Sequence, residues 1–375
     1  MNIFQKKYDS NELLKDLQLS FVPDIFFLFI GSKYPNTRNF IHKITTLFPN
    51  SQCIGCSTSG EIVSDEVSDN SVALTAVAFK NTSLKLVQVS LEACDMSSLK
   101  TGKELGVLLN KKNLRHVFVL SDGLEVNGAE LITGLQESLD STVSITGGLA
   151  GDGSDFKQTF VVYNNEIASK KVVALGLYGT ALKIGFASRG GWDSFGIERL
   201  VTRSTKNIVY EIDGEPALDL YKSYLGSKAK DLPASGLLFP LSMRDKDKEI
   251  PVVRTILGID EDKRSLTFAG NIPEGSYIRL MKANIDRIIA GAEQSAICSL
   301  TEVTEQPQLA ILISCVGRKL VLKQLVEEEV EAVQEQLGKD TVMTGFYSYG
   351  EIAPFDKFSP CELHNQTMTI TTLSE

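Results

Sequence analysis

The sequence predicts an α/β protein made of two internally duplicated domains with mixed sheets and strand–helix–strand units. Three observations lead to that class. Short, almost wholly apolar runs (IFFLFI, HVFVL, LAILI) alternate with segments whose apolar residues recur at helical spacing. Runs apolar at successive positions are the pattern of strands covered by helices on both faces. Two glycine-marked turns, GCSTSGEI (55–62) and GFYSYGEI (345–352), share their glycines, glutamate and isoleucine, an agreement that periodicity alone does not produce.

Taken in order, 25–30 reads as a strand, 37–48 as a helix with Phe40, Ile41, Ile44, Leu47 and Phe48 on one face, and 51–55 as a strand. SVALTAVAF and SLKLVQVS follow as neighbouring strands that read as a hairpin. HVFVLSDG (116–123) is the next strand, and a helix near 128–139 carries Leu131, Leu135 and Leu139 on one side. Asn127 with Glu130 has the spacing of a capping box at its start. TVSITGG (142–148) closes that unit, and TFVVYN is a late strand beyond it. LYGTALKIGFASRGGW reads as the end of a hairpin, which puts the boundary at 195, with domains 1–195 and 196–375. In the second domain SFGIERLVTR and NIVYEI form a strand pair, and Pro216 suits the first turn of the following helix. VVRTILGI and SLTFAG are strands, and a helix over 281–298 collects Met281, Ile285, Ile288, Ile289, Ala292 and Ala296. A strand at 309–315, one long helix over 318–337 stopped by Gly338, a strand at 341–345 and a last strand, QTMTITTL, complete the chain.

The charge balance excludes several function classes. Lysine plus arginine number 38 against 47 acidic residues, a net charge of −9, so no basic excess exists to neutralise nucleic-acid phosphates or an anionic membrane. The run 25–30 is far shorter than a membrane span, and the charged first residues lack the apolar core of a signal peptide. A cytoplasmic protein is expected. Cys53 and Cys56 sit three apart on a strand, hence on opposite faces, which suits buried thiols and not a redox pair. The remaining cysteines are scattered, and no cluster has metal-ligand spacing.

Catalytic and nucleotide motifs are missing. ITGGLAGDGSDF (145–156) is not G-x-G-x-x-G and precedes a strand where the dinucleotide fingerprint needs a helix. It suits either a tight crossover or a loop contacting a ligand through Gly148 and Asp152. GCSTSG is not a nucleophile elbow, and none of the three histidines stands in a triad-like setting. The protein reads as a non-enzyme, an enzyme of unrecognised type being the third choice.

The binding candidates lie on turns beyond strand ends, where mixed α/β sheets hold ligands. They are Ser57, Thr58 and Glu61 in one repeated loop, Tyr347, Ser348 and Glu351 in the other, and Asp122, Gly148 and Asp152 between them. Glu61 and Glu351 accept hydrogen bonds only, so each is either an anchor for an ammonium group or a brace for its own turn. Tyr347 either shapes a ligand site or fills core.

GCSTSGEI, SDGLEVNGAELITGL and ITGGLAGDGSDFKQT resemble the N-terminal FIST domain. RLVTRSTKNIVYEIDGEPALDLYKSYLG, NIPEGSYIRLM, GFYSYGEIAP and LHNQTMTITTL resemble the C-terminal one. The resemblance implies an intracellular sensory module that binds a small ligand such as an amino acid or related metabolite. It implies signalling in trans to a histidine kinase or a diguanylate cyclase or phosphodiesterase, because no kinase signature or Walker A is present. The resemblance also raises the alternative of a haem-binding nitric oxide sensor. No cofactor is otherwise expected; if haem is bound, His364, in the loop ELHNQT, is the expected axial ligand.

Overall fold

The computed structural model describes residues 1–9, 14, 17–109, 112–245, 251–301, 305–356 and 358–375. Among these residues three six-stranded mixed sheets form the body, and an eight-stranded sheet is inserted at 190–284.

Each six-stranded sheet is centred on a parallel pair joined by a helical crossover. Ile25–Gly31 pairs with Gln52–Thr58, Leu114–Ser121 with Ser144–Leu149, and Leu309–Cys315 with Val342–Ser348. A later strand of the same unit, Val72–Ala78, Lys171–Tyr178 or Met368–Ser374, runs antiparallel beside the first of each pair. An edge strand, Asn2–Tyr8, Ser83–Ser90 or Lys183–Arg189, completes that side.

The other side of each sheet is closed by a different unit. Val161–Tyr163 of the second unit pairs with Gln52–Thr58 of the first. Gly350–Pro354 of the third pairs with Ser144–Leu149 of the second, and Glu61–Val63 of the first with Val342–Ser348 of the third. The exchange closes on itself, so all three sheets are interlocked.

The strands are buried on both faces, as their composition implies, and the two faces serve different cores. Phe27 and Phe29 join Phe118, Leu120, Ile311, Ile313 and Phe346 in a central cluster shared by the three sheets. Phe26, Leu28 and Ile30 turn outward onto the helix Thr37–Leu47, while Ala310 and Leu312 pack with Ala292, Ala296 and Val333. Period-two alternation thus divides each strand between centre and periphery. Gly55, Gly147 and Gly345 occupy one register position, facing Leu28, Val119 and Leu312. A Cβ at any of the three would collide with the facing carbonyl oxygen, so close strand approach requires glycine there.

Several sequence expectations are corrected. Ser83–Ser90 and Val72–Ala78 do not form a hairpin, and neither do Lys171–Tyr178 and Lys183–Arg189; each adjacent pair passes from one sheet to the next. Tyr277–Lys282 is a strand paired with Asp193–Thr205, so Met281 is not helical, and the helix begins at Ile285 behind the Asn284 cap. The long helix is broken: Val316–Leu322 ends at Lys323, whose φ of 53° and ψ of −112° leave helical space, and Val326–Leu337 follows after the short 3-10 turn Lys323–Leu325. Asn127 caps its helix as expected, accepting from the Glu130 amide at 3.2 Å. Cys53 and Cys56 are free, buried thiols in separate clusters.

Candidate functional site

Turns that follow parallel strands gather where the units meet, because strand exchange brings each turn against the next unit. At the first unit's turn they leave a polar cleft of about 500 Å³. The first unit contributes Thr58–Glu61 with Asp69 and Asn70, the second the 152–155 loop, and the third Val316, Lys319, Leu320 and Lys323.

Ion pairs and backbone contacts fix the walls. Lys319 donates to the Ser59 carbonyl at 2.9 Å and to Asp69, and lies 5.5 Å over the Tyr347 ring. Lys33 pairs with Asp155 at 2.9 Å. Ser59 Oγ accepts from the Gly153 amide at 2.9 Å. Among the described residues the Lys323 ammonium at the cleft rim makes no ion pair.

Of the residues singled out from sequence, Thr58, Glu61 and Asp152 line this cleft. Glu61 is fully buried, accepting from Thr58 Oγ1, from the Ser71 amide at 2.8 Å and from Ser71 Oγ at 2.7 Å. Burial pushes its carboxyl up to about 7 against those hydrogen bonds. Asp152 accepts from the amides of Phe156, Lys157 and Gln158 at 2.8–3.0 Å and from the Tyr349 hydroxyl, holding its loop in place.

The others are set in the interior. Ser57 Oγ accepts from the Phe160 amide at 3.1 Å. Asp122 is saturated by the amides of Leu124, Glu125 and Lys170 and by Thr159 Oγ1. Gly148 faces Glu351 across a strand pair. The Tyr347 hydroxyl donates to Glu329 at 2.6 Å.

Ser348 and Glu351 reproduce Thr58 and Glu61 in register. Glu351 accepts from Ser348 Oγ at 2.6 Å, the Thr367 amide at 3.2 Å and Thr367 Oγ1 at 3.0 Å, and burial raises it to about 8. The insertion fills the space that is open at Glu61. Gln366 donates to the Leu237 carbonyl at 2.8 Å, Asn365 accepts from the Thr255 amide at 3.2 Å, and Asn127 donates to Asn271 at 2.7 Å. A hydroxyl–carboxylate pair that recurs without a cleft is a turn brace, so its presence beside the cleft is no sign of a nucleophile and base.

His364 is buried, its Nε2 bonds the Ala353 carbonyl at 2.8 Å and its ring packs edge-on to Phe355. It lines neither the cleft nor two other pockets of the described residues, and an Nε2 committed to a protein carbonyl does not fit an axial haem ligand. Among the described residues no group of His, Cys, Asp and Glu could hold a metal ion.

Sequence reasoning missed Lys319, Asp69, Lys33 and Lys323. Lys319 and Asp69 are 250 positions apart, and no local spacing signals such a pair.

The FIST N domain matches residues 24–215 and the FIST C domain residues 217–354. An uncharacterized protein of Methanocaldococcus jannaschii is 25% identical over 341 residues, covering 81% of this chain. This chain spans only 64% of that relative's length. A chorismatase crystal structure aligns over 100% of this chain and 98% of its own, at 10% identity and a TM-score of 0.34, too remote to bear on function. No helix among the described residues is long and apolar enough to cross a membrane. With both domain matches falling on the interlocked body and its insertion, the chain belongs to the FIST family of signal-transduction sensor domains.

Proposed function

We propose that the protein is a cytoplasmic sensor whose cleft at Glu61 binds a small polar ligand, an amino acid or related metabolite, and which signals in trans. The partner would be a histidine kinase or a cyclic-diguanylate enzyme, with neither nucleic acid nor membrane involved. The observation that carries the reading is the cleft of about 500 Å³ to which all three units contribute. That volume suits a metabolite, and its lining offers both signs of charge to a zwitterion: Lys319 and Lys323 on one wall, Asp69 and Asp152 on the others.

The test is a melting-temperature screen of the full chain against amino acids and related polar metabolites. Ligand at 100 times Kd adds about 2.7 kcal/mol to stability, so a true ligand should raise the transition by several degrees. A panel without any such shift would count against the proposal.

A further inference from the structure

Resting on that ligand reading, we propose that the helix Val316–Leu322 transmits occupancy of the cleft to the inserted sheet 190–284, so that ligand binding alters how the insertion is seated.

The helix touches both. Lys319 and Leu320 line the cleft. On the side of the insertion, a Cβ at Gly317 would come within 2.7 Å of the Leu237 carbonyl oxygen and closer still to the Gln366 side chain, so helix and insertion have no slack between them.

Between these faces runs a buried polar network. Lys319 lies over the Tyr347 ring, and the Tyr347 hydroxyl donates to Glu329 at 2.6 Å. Glu329 accepts from Arg318 Nε at 3.0 Å and Nη2 at 2.7 Å, and from Ser314 Oγ at 3.1 Å. Arg318 then donates to the carbonyls of Gly190 at 2.9 Å and Ile288 at 2.7 Å. Those carbonyls flank the points where the chain enters and leaves the insertion. Arg318, Glu329 and Tyr347 are fully buried. A buried ion pair is seldom more stabilising than apolar packing of the same volume, whereas this one fixes both necks of the insertion to the residue beside the cleft lysine.

A ligand acts on this assembly through Lys319. An acceptor group in the cleft competes with Asp69 and the Ser59 carbonyl for the ammonium, and the helix carrying it is rigidly tied to Gly190, Ile288 and Leu237. Only a difference in ligand contacts between two seatings of the helix can shift their populations, and Lys319 supplies that difference.

Amide hydrogen exchange of the full chain tests this without a known ligand. Lys319→Met removes the ammonium from the cleft, and Tyr347→Phe cuts the link to Glu329 while keeping the ring. In both, peptides covering 233–239 and 285–290 should exchange about fivefold faster or more, with strand Ile25–Gly31 unchanged. Lys103→Met, which removes the surface pair with Glu137, should leave the insertion at its original rates. Wild-type exchange of both peptides in both folded variants would overturn the coupling. Should the metabolite panel find no binder while the exchange response persists, the ligand reading fails and the coupling stands. A bound ligand that leaves the insertion unmoved overturns the coupling alone.

Discussion

Glu61 and Glu351 hold their carboxyls against protein donors, and burial raises them to about 7 and about 8 from an ordinary 4.5. The native state therefore keeps two protons that the unfolded chain has released, and unfolding free energy falls as pH rises through the window from about 4.5 to 8. Melting temperature should decline across that window, and Glu351→Gln, which cannot ionise, should flatten the decline. Equal slopes in wild type and variant would show that the Glu351 carboxyl does not contribute to it. These glutamates were legible because their loops repeat along the sequence. Their role was not, since two readings of an acceptor-only side chain differ only in what faces it. Ser71 and Thr367 supply that answer, and each stands immediately before a strand of a different sheet, Val72–Ala78 and Met368–Ser374. Arg318 and Lys319 left no sequence signal: neighbours in the chain, they serve a buried network and a cleft respectively.

At the scale of elements, sequence periodicity found the parallel strand pairs and most helices, because each is apolar in its own characteristic pattern. It failed where a partner strand decided the outcome. Met281 and Ile285 stand at helical spacing, yet Tyr277–Lys282 pairs with Leu241–Arg244 on one side and Asp193–Thr205 on the other, and that pairing prevails. The break at Lys323 was likewise hidden, since no glycine or proline marks it. There a lysine holds a backbone conformation that glycine adopts far more easily, at a cost of roughly 1–3 kcal/mol. Lys323→Gly should accordingly raise the urea midpoint without changing the slope of the transition. A destabilised variant would mean that the lysine side chain contributes more at the cleft rim than its backbone loses.

For the whole molecule, interlocking is the dominant fact. Strands Glu61–Val63, Gly350–Pro354 and Lys183–Arg189 all pair with partners from the other side of residue 195. The division into domains at 195 is tested by expressing the halves 1–195 and 196–375. Each leaves sheets with unpaired inner edges, so neither should show a cooperative unfolding transition alone, whereas the two together should recover one. A cooperatively folded half would establish that division as one between independent domains.

That the cleft shared by the three units is the ligand site is tested most directly by calorimetric titration of the full chain with the best binder from the metabolite panel. Contacts to a charged group contribute about 1.5–3 kcal/mol, so Lys319→Met should weaken affinity roughly ten- to a hundredfold while the protein stays folded. Wild type should bind one ligand per chain. Undiminished affinity in the folded Lys319→Met protein would place the ligand elsewhere and contradict the account.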